Sequence, residues 1–146
     1  MKLPLIILYV DDDDNDRFFF RRSCEKVPVR HECIYLNDGV EARQYLEGVD
    51  GYECRKRNPF PDAIVSDVKM PRMSGLELLA WIRSHPKFQS LPVFLFSSAA
   101  IDTEVREARK LGANAYFEKS PEGRDGPGQI ARILDIVSAR VLEAAA

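Results

Sequence analysis

Leu5-Ile6-Ile7-Leu8-Tyr9-Val10-Asp11-Asp12-Asp13-Asp14 joins an apolar stretch directly to four consecutive aspartates. A short, almost continuously apolar run reads as a strand buried on both faces of a sheet. Its carboxyl end is then electrostatically awkward, because like charges 4 Å apart repel by about 4 kcal/mol at an effective dielectric of 20. Solvation, a neighbouring cation or a bound metal must compensate. Three readings of the acidic run follow. Asp13, Asp14 and Asp16 suit the positive end of a helix, since Phe18 to Val27 has a helical pattern. A calcium loop is excluded: counted from Asp11, glycine is needed where Asp16 stands and glutamate where Arg22 stands. Counting from Asp12 fails likewise, at Arg17 and Ser23. The third reading, half of a magnesium site at a strand tip, requires a further carboxylate from a different strand.

The rest of the chain sets the frame. At 146 residues it is long enough for one domain with a substantial core. A hydrophobic share of 45% and a net charge of -2 fit a soluble protein and give no basic excess for nucleic acid. Cys24, Cys33 and Cys54 have no metal-type spacing, so reduced thiols are expected. The apolar N-terminal run is too short to span a membrane and meets aspartates rather than a cleavage site. These features predict a cytoplasmic protein with neither membrane nor nucleic-acid partners.

Strand patterns recur at Leu5 to Val10, His31 to Leu36, Ala63 to Ser66, Val93 to Phe96 and Ala115 to Phe117. Helical patterns lie between and after them. The first aligns Phe20, Cys24 and Val27. The second runs from about Val40 to Glu47 with Asn37 or Asp38 as cap, and turns Leu46 inward. The third, Gly75 to Ser84, presents Leu76, Leu79 and Ile82 and stops before Pro86. The fourth, Asp102 to Leu111, buries Val105 and Ala108 and ends at Gly112. The last, from about Gln129 to Leu142, aligns Ile130, Ile133, Leu134, Val137 and Val141. Gly48 to Pro61 and Ser120 to Gly128 read as loops. Repeated βα units imply an α/β fold, a parallel sheet with helices on both faces.

In such a sheet, ligands bind outside the carboxyl ends of the strands. Those ends carry Asp11 and Asp12, then Asp67, then Ser97 and Ser98, and finally Lys119. Carboxylates, hydroxyls and an amine therefore converge on one edge.

This constellation resembles the receiver domain of bacterial two-component response regulators. The matching segments are Ile7 to Asp12, Ser66-Asp67-Val68-Lys69-Met70-Pro71 with Ser74-Gly75, Pro92 to Ser97, and Gly112 to Lys119. The resemblance implies a three-layer α/β/α fold, a five-stranded parallel sheet of order 2-1-3-4-5, flavodoxin-like. It covers residues 1–146 as a single stand-alone receiver domain, core about 5–142, with no output domain. Asp67 would be the phosphoacceptor, taking a phosphoryl group from a sensor histidine kinase or a histidine phosphotransfer protein. Asp12 would bind Mg²⁺ directly, with Asp11, Asp67 and the backbone carbonyl of Lys69 completing the protein's share; Mn²⁺ would substitute. Lys119 would pair with Asp67 and then with a phosphoryl oxygen, and Ser97 would donate to another. Ser98 is the poorer donor, because strand alternation turns it away.

Tyr116 occupies the place of the family's switch aromatic; a plain half-buried strand tyrosine is the other reading. The response would appear on the face built by helix four, strand five and helix five, for an unidentified downstream protein or a second copy in a homodimer. Phe18 is the outlier of three consecutive phenylalanines, either a kinase contact or cover for a neighbouring helix. The function implied is a phosphorylation switch rather than an enzyme, limited to self-phosphorylation and slow autodephosphorylation. A phosphate-independent interaction module is the alternative. A hydrolase is disfavoured because Lys69 stands where its acid/base residue would.

Two features depart from the family pattern. Ser120 follows Lys119 where proline is usual, and a cis bond before serine would cost about 3 kcal/mol against about 0.5–1 before proline. Either that bond is cis or a different loop aims Lys119. The segment from Gly48 to Pro61 is long and carries Arg55-Lys56-Arg57, a partner contact or a solvated charge run.

Overall fold

The computed structural model describes residues 3–145. Its elements alternate: β1 (Leu5–Val10), α1 (Asp14–Glu25), β2 (His31–Leu36), α2 (Gly39–Glu47), β3 (Ala63–Asp67), α3 (Gly75–Ser84), β4 (Val93–Ser97), α4 (Asp102–Leu111), β5 (Ala115–Glu118) and α5 (Gly126–Ala145). The strands form one parallel sheet of order β2-β1-β3-β4-β5. This is the architecture the sequence implied. β1, β3 and β4 are buried along their whole length, which explains their near-continuous apolar sequences.

Alternation along each strand splits the core in two. Leu8, Val10, Ile64 and Leu95 face α2, α3 and α4, where Leu46, Leu78, Leu79 and Ile82 meet them. Ile7, Tyr9, Val65, Phe94 and Phe96 face α1 and α5, against Phe20, Ile130, Ile133 and Leu134. Each fully buried aliphatic side chain contributes about 1.5–3 kcal/mol.

Short polar side chains start the helices. Asp13, Asp38 and Ser74 accept hydrogen bonds from the backbone N–H of Asp16, Glu41 and Glu77. Gly112 ends α4 at φ 96°, a conformation that favours glycine.

Several local readings change. α1 begins at Asp14, so Asp14 and Asp16 lie inside the helix rather than ahead of Phe18. Val105 is only half-buried, because α4 lays just Ala108 fully into the core. The Ser120 to Gly128 segment is ordered: Pro121–Gly123 forms a 3₁₀ turn and α5 already starts at Gly126. In the Gly48 to Pro61 segment, Arg55 donates to the carbonyls of Tyr45 and Leu46 at 2.9 and 2.7 Å, closing the end of α2. Its charge serves that helix end, which leaves Lys56 and Arg57 as the part of the run open to a partner or to solvent.

Candidate functional site at the carboxyl edge of the sheet

Asp11 follows the last residue of β1 and is fully buried, with a relative exposure of 0%. Its Oδ2 accepts from the Tyr9 hydroxyl at 2.9 Å and from Lys119 Nζ at 2.9 Å, while Oδ1 accepts from the Asp13 N–H at 3.0 Å. Tyr9 is held for this by stacking on Phe20, ring centroids 3.9 Å apart. The carboxylate in turn disfavours a second charge beside it: burial first, then Asp11, pushes the Tyr9 phenol well above its ordinary range.

Asp67 closes β3. Its Oδ1 accepts from the Val68 N–H at 3.0 Å and lies 3.1 Å from Lys119 Nζ. Oδ2 has no hydrogen-bond partner among the described residues. Burial raises the Asp67 carboxyl to about 6, with Lys119 opposing and Asp11 adding to the rise. It is still ionised at neutral pH. The peptide of Asp67 is also clamped from below. The Gly75 N–H donates to Val68 O at 2.8 Å, and a Cβ on Gly75 would fall 2.3 Å from the Asp67 carbonyl oxygen. Only glycine lets α3 begin this close to the strand end.

Lys119 follows β5 and is the hub of the site. Its Nζ reaches Asp16 at 2.7 Å, Asp11 at 2.9 Å and Asp67 at 3.1 Å. Burial works against the ammonium, but Asp16, Asp11 and Asp67 together hold its pKa above the ordinary lysine value. The one cis peptide among the described residues is Leu3–Pro4, so the Lys119–Ser120 bond is trans and a different loop aims the lysine. In that loop Ser120 O accepts from the Gly123 N–H and Ser120 Oγ from the Asp125 N–H.

Asp16 is the residue sequence reasoning missed. The sequence pattern presents it as a helix-start charge, yet it makes the shortest contact to Lys119. Its place in the first turn of α1, three residues after the cap at Asp13, was the available signal, since that turn stays beside the tip of β1.

Ser97, at the end of β4, is buried and donates its hydroxyl to Ala99 O at 2.9 Å. Ser98 is exposed. Tyr116 on β5 is half-buried; its hydroxyl donates to Glu104 Oε2 of α4 at 3.3 Å. Burial leads the rise in its pKa, and the nearby Ser97 hydroxyl opposes it. Phe18 stands out at 50% exposure.

Asp12, Asp16, Asp67, Lys69 and Ser97 line a cleft of about 230 Å³. Carboxylate oxygens of Asp11, Asp12 and Asp67 lie within 4.8 Å of one another. Hard oxygen donors at that spacing fit a divalent cation that keeps several waters. A second cleft of about 380 Å³ shares Asp16 and Lys119 and opens between α1 and the start of α5.

The response regulator receiver domain profile matches residues 7–126. The chain belongs to that family. It is 30% identical over 122 residues to response regulator Rcp1 of Synechocystis sp., covering 84% of this chain and 81% of Rcp1. The crystal structure of the Mn²⁺-bound form of Rcp1 matches with TM-score 0.78 and 28% identity, over 89% of this chain and 91% of that one. The phosphorylated cyanobacterial phytochrome response regulator RcpA matches with TM-score 0.78 and 27% identity, over 88% and 90%. The protein is thus a phosphoacceptor response regulator of two-component signalling, a family that works with histidine kinases or phosphotransfer proteins. No described helix is long and apolar enough to cross a membrane.

Proposed function

We propose that Asp67 is the phosphoacceptor of this receiver and that Oδ2 is its nucleophilic atom. The observation that carries this reading is the asymmetry of the carboxylate: Oδ1 is engaged by Val68 and Lys119, while Oδ2 is unpartnered in a residue that lines the cleft. The donor is a phosphohistidine of a sensor histidine kinase or histidine phosphotransfer protein. As the Oδ2–P bond forms, the P–N bond breaks, and the imidazole leaves with the electron pair. Phe18, exposed on α1, is a contact for that donor.

Asp12, Asp67, Asp11 and the backbone carbonyl of Lys69 would hold Mg²⁺, or Mn²⁺ in its place. The bound ion supplies neutralisation of charge on the transferring phosphoryl group. Lys119 exchanges one carboxylate contact for a phosphoryl oxygen. Ser97 swings its hydroxyl from Ala99 O to another phosphoryl oxygen, freeing the β4–α4 loop. Tyr116 and α4 then shift their populations, tenfold for every 1.4 kcal/mol of phosphate preference. Output passes through the α4–β5–α5 face to a downstream protein or a second copy.

In this reading the chain acts in the cytoplasm as a phosphorylation switch. Its own chemistry is limited to self-phosphorylation and slow autodephosphorylation. The phosphate-independent module is not favoured, since Ser120 leaves Lys119 within 3.1 Å of Asp67.

The test uses the reduced protein with Mg²⁺ and a small acyl phosphate. One base-labile phosphoryl adduct should appear by mass spectrometry and be absent from Asp67→Ala. No adduct on the wild type, or one that survives the substitution, defeats the assignment. Sustained turnover of phosphate esters would point to a hydrolase.

A further inference from the structure

We propose that Cys24, His31 and Cys33 form a binding site for a thiophilic divalent cation, zinc foremost, at the amino-terminal edge of the sheet. This site is separate from the carboxylate cluster. His31 and Cys33 are two residues apart on β2 and share one face of that strand. Cys24 descends onto the same face from the last turn of α1. His31 pairs with Leu5 and Cys33 with Ile7, so about 13–20 Å of β1 separates this cluster from Asp11.

The geometry is that of a ligand set. Cys24 Sγ and Cys33 Sγ are 3.7 Å apart. A tetrahedral zinc with Zn–S bonds of about 2.3 Å sets its two sulfurs about 3.8 Å apart. A disulfide would need the sulfurs at about 2.05 Å. One His31 ring nitrogen lies within 4.8 Å of both sulfurs. The imidazole is also oriented from outside, as ligating histidines are: Nδ1 donates to Val29 O at 2.6 Å, which leaves the Nε2 lone pair free in the neutral ring. Both cysteines are free thiols, and all three residues are only partly buried, so an ion can reach them. Two sulfurs and a nitrogen select zinc or a similar borderline-soft ion over Mg²⁺, with water in the fourth position. Bound there, the ion would clip the end of α1 to the edge strand.

The test is a Co²⁺ titration of the full chain, reduced, with Mg²⁺ in excess to occupy the carboxylate site. Wild type should bind one equivalent with a near-ultraviolet thiolate-to-cobalt charge-transfer band and the visible bands of a tetrahedral site, both displaced by zinc. Cys24→Ser and Cys33→Ser should lose the charge-transfer band, and Cys54→Ser should keep it. His31→Gln should weaken binding by about tenfold or more. Far-ultraviolet dichroism and a cooperative melt check that each variant is folded. Alkylation of the wild type needs no variant: zinc should protect Cys24 and Cys33 while Cys54 still reacts. Absence of the charge-transfer band on the reduced wild type overturns the site. So does a band that follows Cys54, or a pair that only oxidises, losing two hydrogens, without retaining metal.

Discussion

α3 and α4 are each ten residues long and lie side by side on the same face of the sheet, yet they are held very differently. α3 starts with a capping box between Ser74 and Glu77 and buries Leu78, Leu79 and Ile82 completely. At its far end Arg83 donates to the carbonyls of Leu91 and Gly112 and to the Asn114 side chain. α4 follows Ile101, which supplies no side-chain cap, buries only Ala108, and is tied to the site by the long Tyr116–Glu104 hydrogen bond. Asp67, the proposed phosphoacceptor, sits on the clamped side, through Gly75. The hydroxyl read as its sensor, Ser97, sits at the loop that leads into the loose side. A switch needs both: an acceptor that does not move and a neighbour that can.

The contrast can be broken most directly by truncating both helices. Leu79→Ala should cost about 2–5 kcal/mol, whereas Val105→Ala should cost less than about 1.5 kcal/mol. Urea denaturation measures both; equal losses would mean that α4 is anchored as firmly as α3.

A second, smaller effect concerns Asp67 itself. The Asp67 carboxyl titrates near 6 in the folded chain, above its unfolded value of about 3.9. Below both values the group is protonated in either state and contributes nothing. As pH rises from about 4 to 6 the folded state holds the extra proton, so stability falls, and the full penalty stands above 6. In chelator-treated buffer, Asp67→Asn should therefore raise stability at pH 7.5 by about 1–3 kcal/mol. The gain should vanish near pH 4. A variant less stable than wild type at pH 7.5 would mean that the Lys119 contact outweighs carboxylate crowding.

The smallest effect tests the tether. Tyr116→Phe should change global stability by less than about 1 kcal/mol but speed hydrogen exchange in α4 while leaving α3 unchanged. Unaltered exchange in α4 would show that the Glu104 contact does not restrain that helix.

The strands were legible because burial on both faces leaves a local, nearly unbroken apolar run. Asp11, Asp12, Asp67, Ser97 and Lys119 were legible because parallel strands deliver their carboxyl ends to one edge. The cap of α2 was readable to within one residue, Asn37 or Asp38, for the same local reason, and the structure gives Asp38. Asp16 was not, since its value lies in reaching a lysine 103 positions away. The role of Arg55 was hidden too: a charged run in a loop gives no sign that one guanidinium folds back onto the end of α2. Cys24 and Cys33 come from two different elements, and their separation along the chain resembles no metal motif.

Sequence alone determined the order of elements, the parallel sheet and the edge at which chemistry collects. Each of these depends on side-chain periodicity or on a residue's place at the end of its own strand. Tertiary structure alone decided that Lys119 is shared by three carboxylates across a trans bond, that α4 is loosely seated beside a clamped α3, and that two thiols meet an imidazole at the opposite edge. Those outcomes depend on how helices dock against the sheet. Docking is set by the summed packing of distant residues, which no local pattern records.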